Sequence, residues 1–559
     1  MFNFLKEFIE KISKFSASVS EYKSITKNVY IPSKTFVSWG VSLANMGDLD
    51  QAIKKFEEAS NMTPKNPESF TNWGIALAKQ NKFEEAMEKF ITATRIDPEY
   101  SRAYALWGAA LAEVGRISEA EKKYEIALRL SPRDSDTYVN WGIALAKQNK
   151  KALAEDKFKK ALALNPKCTQ AMFLFGAILA EMGKYDEAIL KFQRVTESFP
   201  EHSDAWYYWS VALFRLEKYD EALEKVKTSL NINPLKVEAH VNFGEILTEL
   251  EEFDKAMECY KTAENIDPKA PEICLSRGIT FQKFGKHPEA IEELTKFLSI
   301  EENHFEALYC LASSLIETNE LEKALALFKK VLILDPNYVD AYVKLGSVYN
   351  LTGNIEKALE NYKKAEKTSK KKSQVNFLIA STYYNIEDYE NAIKYYNRTI
   401  EFKSDYIEAH INLALSLNKI DDNKEAVRKM RTAYKLNPNS GIVNFIYGIV
   451  LSNSKENMFL KDALEKFERA VNLEPDLIDA YVEKGKILIK LKKFDQAILS
   501  FKTYINAKSN DFDIFEEDFK KFIENYPDNH NMINDFLDNY FKKLNYPKNF
   551  NDIMEKNNF

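Results

Sequence analysis

The side chains best placed for chemistry in this chain recur on one spacing, and the chemistry they offer is recognition. Lys79, Glu113, Lys147, Glu181, Arg215, Glu249, Lys283 and Glu317 follow one another every 34 residues, and the sign of the charge alternates throughout. Asn72, Asn140, Asn242 and Asn412 stand on the same grid, seven places ahead of those charges. An asparagine amide both donates and accepts, which suits it to gripping a peptide backbone whatever its sequence. A row of alternating charges can pair within the protein, each exposed pair contributing roughly 0–1 kcal/mol. It can also read the charge pattern of a bound segment. Duplication of a 68-residue double unit would produce the same alternation.

Residues for bond-making chemistry are not arranged for it. The chain has no phosphate-binding G-x-x-x-x-G-K-[ST], no G-x-G-x-x-G, no H-E-x-x-H and no G-x-S-x-G. Its six histidines, His202, His240, His287, His304, His410 and His530, are scattered, with no second ligand at metal-binding spacing on the same helix. His202 and His304 fall between repeats and are expected in solvated loops. Cys168, Cys259, Cys274 and Cys310 form no C-x-x-C pair, which reads as reduced thiols of a cytoplasmic protein. No catalytic residue, metal or cofactor is therefore expected. The net charge of −6, from 84 acids against 78 bases, lacks the basic excess that marks nucleic-acid binding. No apolar run is long enough for a transmembrane helix, and the charged N-terminus does not read as a secretory signal.

What positions these residues is repetition. NWGIALAKQNK occupies 72–82 and returns unchanged at 140–150, with LWGAALAEVGR between them at 106–116. A fixed period of this length means stacked supersecondary units. Twelve units run without insertion: 33–66, 67–100, 101–134, 135–168, 169–202, 203–236, 237–270, 271–304, 305–338, 339–372, 373–406 and 407–440. The thirteenth, 441–477, carries three extra residues near 454–459, and the fourteenth spans 478–511. Each unit reads as two helices. Position 8 is glycine in ten units and otherwise serine or alanine, and position 20 is alanine in all, from Ala52 to Ala497. Position 11 is large and apolar, position 24 mostly aromatic, and position 32 proline in ten units. A mid-helix glycine costs about 1 kcal/mol relative to alanine, so its recurrence needs a packing reason. The expectation is that small residues at 8 and 20 let the paired helices approach, while positions 11 and 24 fill the flanking space. Proline at 32 ends the second helix. Five further glycines at position 15 mark a left-handed turn between the helices.

Apolar or aromatic residues at 4 and 7, small ones at 8, 20 and 27, an aromatic at 24 and proline at 32 resemble the tetratricopeptide repeat (TPR) family over 33–511. The resemblance implies an all-α solenoid, a right-handed superhelix of about fourteen helix-turn-helix repeats. First helices would line a concave groove that binds peptides or protein segments. The repeat array is similar to the superhelix of O-linked N-acetylglucosamine transferases, but only 48 residues follow the last repeat. That is too few for the family's catalytic region, so an in-chain enzyme is not expected. That resemblance also implies an asparagine ladder at position 6 gripping ligand backbone, which the four asparagines match in part; isolated asparagines bonding locally are the alternative. The function expected is a protein-interaction scaffold with a protein or peptide partner. The alternative is a substrate-targeting or regulatory subunit of a separately encoded enzyme such as a glycosyltransferase.

Three features depart from the repeat. In 1–32, Phe4, Leu5, Phe8, Ile9, Ile12 and Phe15 recur at helical spacing, as expected of a capping helix; a membrane-surface helix is the alternative, against which the weakly basic polar face argues. In 512–559, Phe512, Phe515, Phe519, Phe522, Ile523 and Tyr526, then Ile533, Phe536, Leu537, Tyr540, Phe541 and Leu544, suggest a two-helix cap followed by a frayed tail. Lys370, Lys371 and Lys372 replace the usual proline-bearing junction and read as a solvated turn, with a hinge or a contact for an acidic partner as alternatives. Position 2 is acidic in nine units, which suits the first turn of a helix, with an acidic stripe preferring basic segments as the alternative.

Overall fold

The computed structural model describes residues 32–454, 459–508, 512–525 and 530–544. The amphipathic stretch from Phe4 to Phe15, Tyr526 and the tail beyond 547 lie outside the described residues. Among the described residues there is no strand. Helices follow in antiparallel pairs, from Ser33–Asn45 with Leu49–Met62 to Asp479–Lys490 with Phe494–Lys508. The chain is an all-α solenoid. It divides into two compact segments, residues 1–280 and 281–559, and each is described by itself.

Within a pair, three residues separate the helices, as between Ser203–Arg215 and Tyr219–Ile232. The middle one, position 15, has positive φ in repeats 1–12 and 14. Five are glycines at 70–85°, and Asn81, Asn149, Glu217, Glu251, Asn319, Glu387, Asp421 and Lys492 lie at 59–63°. The left-handed corner lets the next amide reach back to position 11. The N–H of Arg116 donates to the Leu111 carbonyl at 2.8 Å, and that of Glu252 to Leu247 at 2.9 Å. The glycines signalled the corner, but the fold imposes it on eight other side chains; Asn and Asp tolerate it, while Glu217, Glu251, Glu387 and Lys492 bear a cost of about 1–2 kcal/mol each. Glu251→Gly should therefore raise stability by about 0.5–1 kcal/mol in urea denaturation. An unchanged midpoint would mean that this corner carries no strain.

The packing reason for glycine at position 8 differs in one respect from the expectation. The aromatic at position 24 does not merely flank the close contact; it lies on the glycine. A Cβ at Gly74 would stand 2.5 Å from Cε1 of Phe90, at Gly176 2.7 Å from Phe192 and at Gly244 2.5 Å from Tyr260. The carbonyl of the position-20 alanine comes next, 3.2 Å from such a Cβ at Gly108. The ring can be completely buried because the helix facing it offers only backbone, as for Phe192 and Tyr260. In repeat 6, where Ser210 occupies position 8, position 24 is Val226 and no ring is present.

Neighbouring repeats join through the first helices. In the first segment Ser33–Asn45 touches Pro67–Lys79, which touches Ser101–Glu113, and so on to Val237–Glu249. In the second segment the same holds for Phe305–Glu317 with Val339–Leu351, and from Lys372–Asn385 through Ile407–Lys419 and Gly441–Asn453 to Asp479–Lys490. Each segment thus presents a wall of adjacent first helices. Beyond the last repeat, Phe512–Asn525 and His530–Lys543 cover its end. Phe515, Phe519 and Phe541 pack on Phe501 with ring centroids 5.2–6.0 Å away, and Ile533 and Leu537 are fully buried. No described helix is long and apolar enough to cross a membrane.

Candidate functional site: the face of the first helices

The alternating charges end each first helix and reach the surface. Lys79, Glu113, Lys147, Glu181, Arg215, Lys283 and Glu317 are exposed, and Glu249 is half-buried. Lys147 Nζ meets Glu113 at 2.6 Å across adjacent repeats, with both side chains about half exposed. At that exposure the pair contributes roughly 0–1 kcal/mol. Glu181 turns instead to Lys151 of the preceding repeat at 3.2 Å. The second helices therefore share in the charge pattern, which a reading of position 13 alone does not anticipate.

The four asparagines are set deeper. Asn72 and Asn242 are buried, at 8% and 3% exposure, and Asn140 and Asn412 are half-buried. The Oδ1 of Asn242 accepts a short hydrogen bond from the Ser210 hydroxyl of the preceding repeat. The side chain of Asn412 hydrogen-bonds the Tyr396 hydroxyl. These two amides tie repeats together.

Lys79 and Glu113 meet at one cavity. It has a volume of about 250 Å³ and lies between repeats 2 and 3. Its walls are Ile75, Ala78, Phe83, Phe90, Leu106, Ala109 and Ala110, with the two charges completing the lining. The small side chains at positions 9, 10 and 12 create it, because larger residues there would close the gap between the two first helices.

A second concentration of functional groups lies further along the same wall. Tyr207 and Tyr208 sit in Ser203–Arg215, with ring centroids 5.0 Å apart. Tyr208 packs its edge on Phe173 at 5.5 Å and is 37% exposed. Around Tyr207 stand carboxylates of the next two first helices, Val237–Glu249 and Pro271–Lys283. Burial lifts its phenol above the usual range, and Glu245, Glu238 and Glu272 lift it further. The run Trp206-Tyr-Tyr-Trp209 was the signal in the sequence, hidden because aromatic residues also serve positions 4 and 7.

The position-2 acids do stand in first turns, as Glu68, Asp136, Glu238 and Glu306 show. The histidines at the repeat junctions correct an expectation. His202 and His304 are half-buried helix caps rather than solvated loop residues. Their Nδ1 atoms accept from the N–H of Ala205 at 3.2 Å and of Ala307 at 3.3 Å. Their rings pack 4.9 Å from Phe173 and 5.0 Å from Phe297. Position 34 precedes the next first helix, so an acceptor there satisfies an unpaired helix N–H. Lys370, Lys371 and Lys372 are exposed, and the first two border an open cavity of about 700 Å³ shared with Lys403, Asp405 and Glu408. None of the four cysteines is in a disulfide. Burial pushes the Cys259 thiol up to about 11 and the Cys310 thiol to about 12, which makes both inert.

One set of paired residues went unread in the sequence. Lysine at position 23 lies over the aromatic at position 7 in the first six repeats. Lys89 stands 3.9 Å from the Trp73 centroid, Lys123 3.5 Å from Trp107 and Lys157 3.8 Å from Trp141. Lys55, Lys191 and Lys225 do the same over Trp39, Phe175 and Trp209 at 4.6–5.1 Å. A cation so placed contributes about 0.5–2 kcal/mol. The sixteen-residue offset between tryptophan and lysine was available in the sequence, but lysine at that site looked like ordinary surface charge.

Two-helix repeats joined through their first helices define the chain as a helical repeat protein. Family profiles described as "Tetratricopeptide repeat" match 37–101, 71–135, 105–168, 139–196 and 173–234, and also 339–372, 373–406 and 478–511. A profile described as "TPR repeat" matches 244–285 and 312–353. The chain belongs to the tetratricopeptide repeat family. A comparison with curated proteins gives no match. Among solved structures it is similar to the APC/C hetero-tetramer Cut9–Hcn1, at 15% identity and a TM-score of 0.45, covering 82% of this chain and 97% of that one. YrrB, described as a TPR protein with an unusual peptide-binding site, is 30% identical over 33% of this chain and 95% of that one, with a TM-score of 0.28. The Naa15/Naa10 complex bound to HypK-THB is 14% identical over 88% and 97%, with a TM-score of 0.35.

Proposed function

We propose that this protein is a non-catalytic interaction scaffold that holds an extended segment of a partner protein against the wall of first helices. The observation that carries the reading is the cavity between repeats 2 and 3. Its floor is apolar, and Lys79 and Glu113, two of the charges that mark the wall, border it. An apolar side chain of the partner fits such a floor, while the bordering charges select its neighbours. A preformed surface of this kind binds without the cost of ordering itself. Four cysteines outside any disulfide favour a reducing compartment, and the reading puts the protein in the cytoplasm.

The test fills the cavity from its partly exposed edge. Ala109→Phe should leave helical content and melting unchanged. It should abolish the footprint of a natural partner, read as hydrogen-exchange protection of Pro67–Lys79 and Ser101–Glu113 in the complex. A partner that protects only second helices, or that binds the variant equally well, would refute the proposal.

A further inference from the structure

The reading of the first-helix wall as a binding face leaves the partner's chemistry open, and the surroundings of Tyr207 narrow it. Resting on that reading, we propose that the patch formed by Tyr207, Tyr208 and the carboxylates of repeats 6–8 receives a lysine- or arginine-bearing stretch of the partner segment.

The patch joins three neighbouring first helices. Asp204 and Tyr207 come from Ser203–Arg215, Glu238 and Glu245 from Val237–Glu249, and Glu272 from Pro271–Lys283. Carboxylates beside an aromatic face are the complement of an ammonium or guanidinium group, through charge and through the ring's electron-rich surface together. The chain itself displays this preference. The ammonium of Lys236 sits 2.8 Å from Asp204 and 3.8 Å from Glu238, and 4.9 Å from the centre of the Tyr207 ring. Its side chain is only 15% exposed. Most of that side chain is out of water, and the carboxylates and the ring surround its ammonium.

Lys236 occupies one side of the patch. On the other side Glu245 accepts the Ser276 hydroxyl at 2.6 Å, and Glu272 opens the next helix. The guanidinium of Arg277, on that same helix, is drawn to Glu264 at 3.0 Å. A cation approaching Tyr207 meets a half-buried ring and the carboxylates of Glu238, Glu245 and Glu272, whereas a phosphate or an acidic peptide is repelled by the same groups. The partner segment is thus cationic where it crosses these repeats.

The probe is a fluorescein-labelled peptide of repeating Lys-Ser-Gly, with Glu-Ser-Gly as its counterpart, titrated into the full chain and read by fluorescence anisotropy. The lysine peptide should bind and the glutamate peptide should not. Glu238→Gln with Glu272→Gln should weaken binding about tenfold. Tyr207→Leu should weaken it severalfold with unchanged circular dichroism. Glu84→Gln with Glu85→Gln, exposed on a second helix, controls for general attraction to an acidic chain and should change binding less than about twofold. Absence of lysine-peptide binding, or equal weakening by the control pair, would overturn the inference. If the Ala109→Phe footprint test succeeds while the lysine peptide fails to bind, the scaffold reading stands and this one falls.

Discussion

Gly244→Val is expected to lower the stability of the first segment by about 3 kcal/mol. A Cβ there would stand 2.5 Å from Cε1 and 2.7 Å from Cζ of Tyr260. The ring cannot slide aside cheaply. It is fully buried, and its hydroxyl is 3.0 Å from Thr280 Oγ1, which is 2.8 Å from Thr248 Oγ1. Moving it leaves buried hydroxyls unsatisfied, at about 1–3 kcal/mol. Relief of the glycine's poor helix propensity offsets less than about 1 kcal/mol. One methyl should be milder, because Ala312 faces Phe328 and Ala380 faces Tyr396 in native repeats. Tyr260→Ala alone should cost about 3–5 kcal/mol through the cavity it leaves. Combined, the two changes should cost at least 1 kcal/mol less than their sum, since valine then fills space the ring has vacated. Urea denaturation of the three variants measures this coupling, and strictly additive losses would show that the ring and the glycine do not share one space.

Removal of 512–559 should cost on the order of 4 kcal/mol at the last repeat and make the chain self-associate. Phe501, Tyr504 and Ile505 are fully buried, and the rings of Phe515, Phe519 and Phe541 supply much of the cover over Phe501, with Phe541 also 5.7 Å from Tyr504. An aromatic side chain buries about 150–250 Å², and each Å² of apolar area returned to water costs about 25 cal/mol. Stacked repeats contact only their neighbours, so the loss should stay local. Hydrogen exchange should then accelerate in Asp479–Lys490 and Phe494–Lys508 while repeats 11 and 12 keep their protection. Unchanged exchange in those two helices, with a monomeric sedimentation profile, would show that the terminal pair shields nothing.

The repeat, its helix pairing and its class were legible because each rests on a periodic constraint. Glycine at 8 with an aromatic at 24 states a contact that geometry requires in nine of the fourteen units. What stayed hidden shares its residue types with something commoner. Lys123 over Trp107 looks like surface charge, Glu251 in a left-handed corner looks like ordinary loop, and His304 as a helix cap looks like a solvated junction. Asn242 shows the reverse case. Its register matches a ligand-gripping ladder, yet Ser210, serine where most repeats have glycine, supplies its amide with a partner inside the protein. Tyr207 acquires its acidic surround from helices 34 and more residues away, a proximity that only stacking creates.

The recurring left-handed corner also bears on how such a chain can change length. Gly115 and Asn149 hold nearly the same backbone conformation, with φ of 78° and 59°, and sit one period apart. Splicing the chain at two such corners removes or inserts a complete module without asking any residue for a new conformation. The fold is therefore tolerant of recombination in steps of one period, and each step adds or deletes one helix's width of binding wall. Length and partner preference can drift independently of the architecture that carries them.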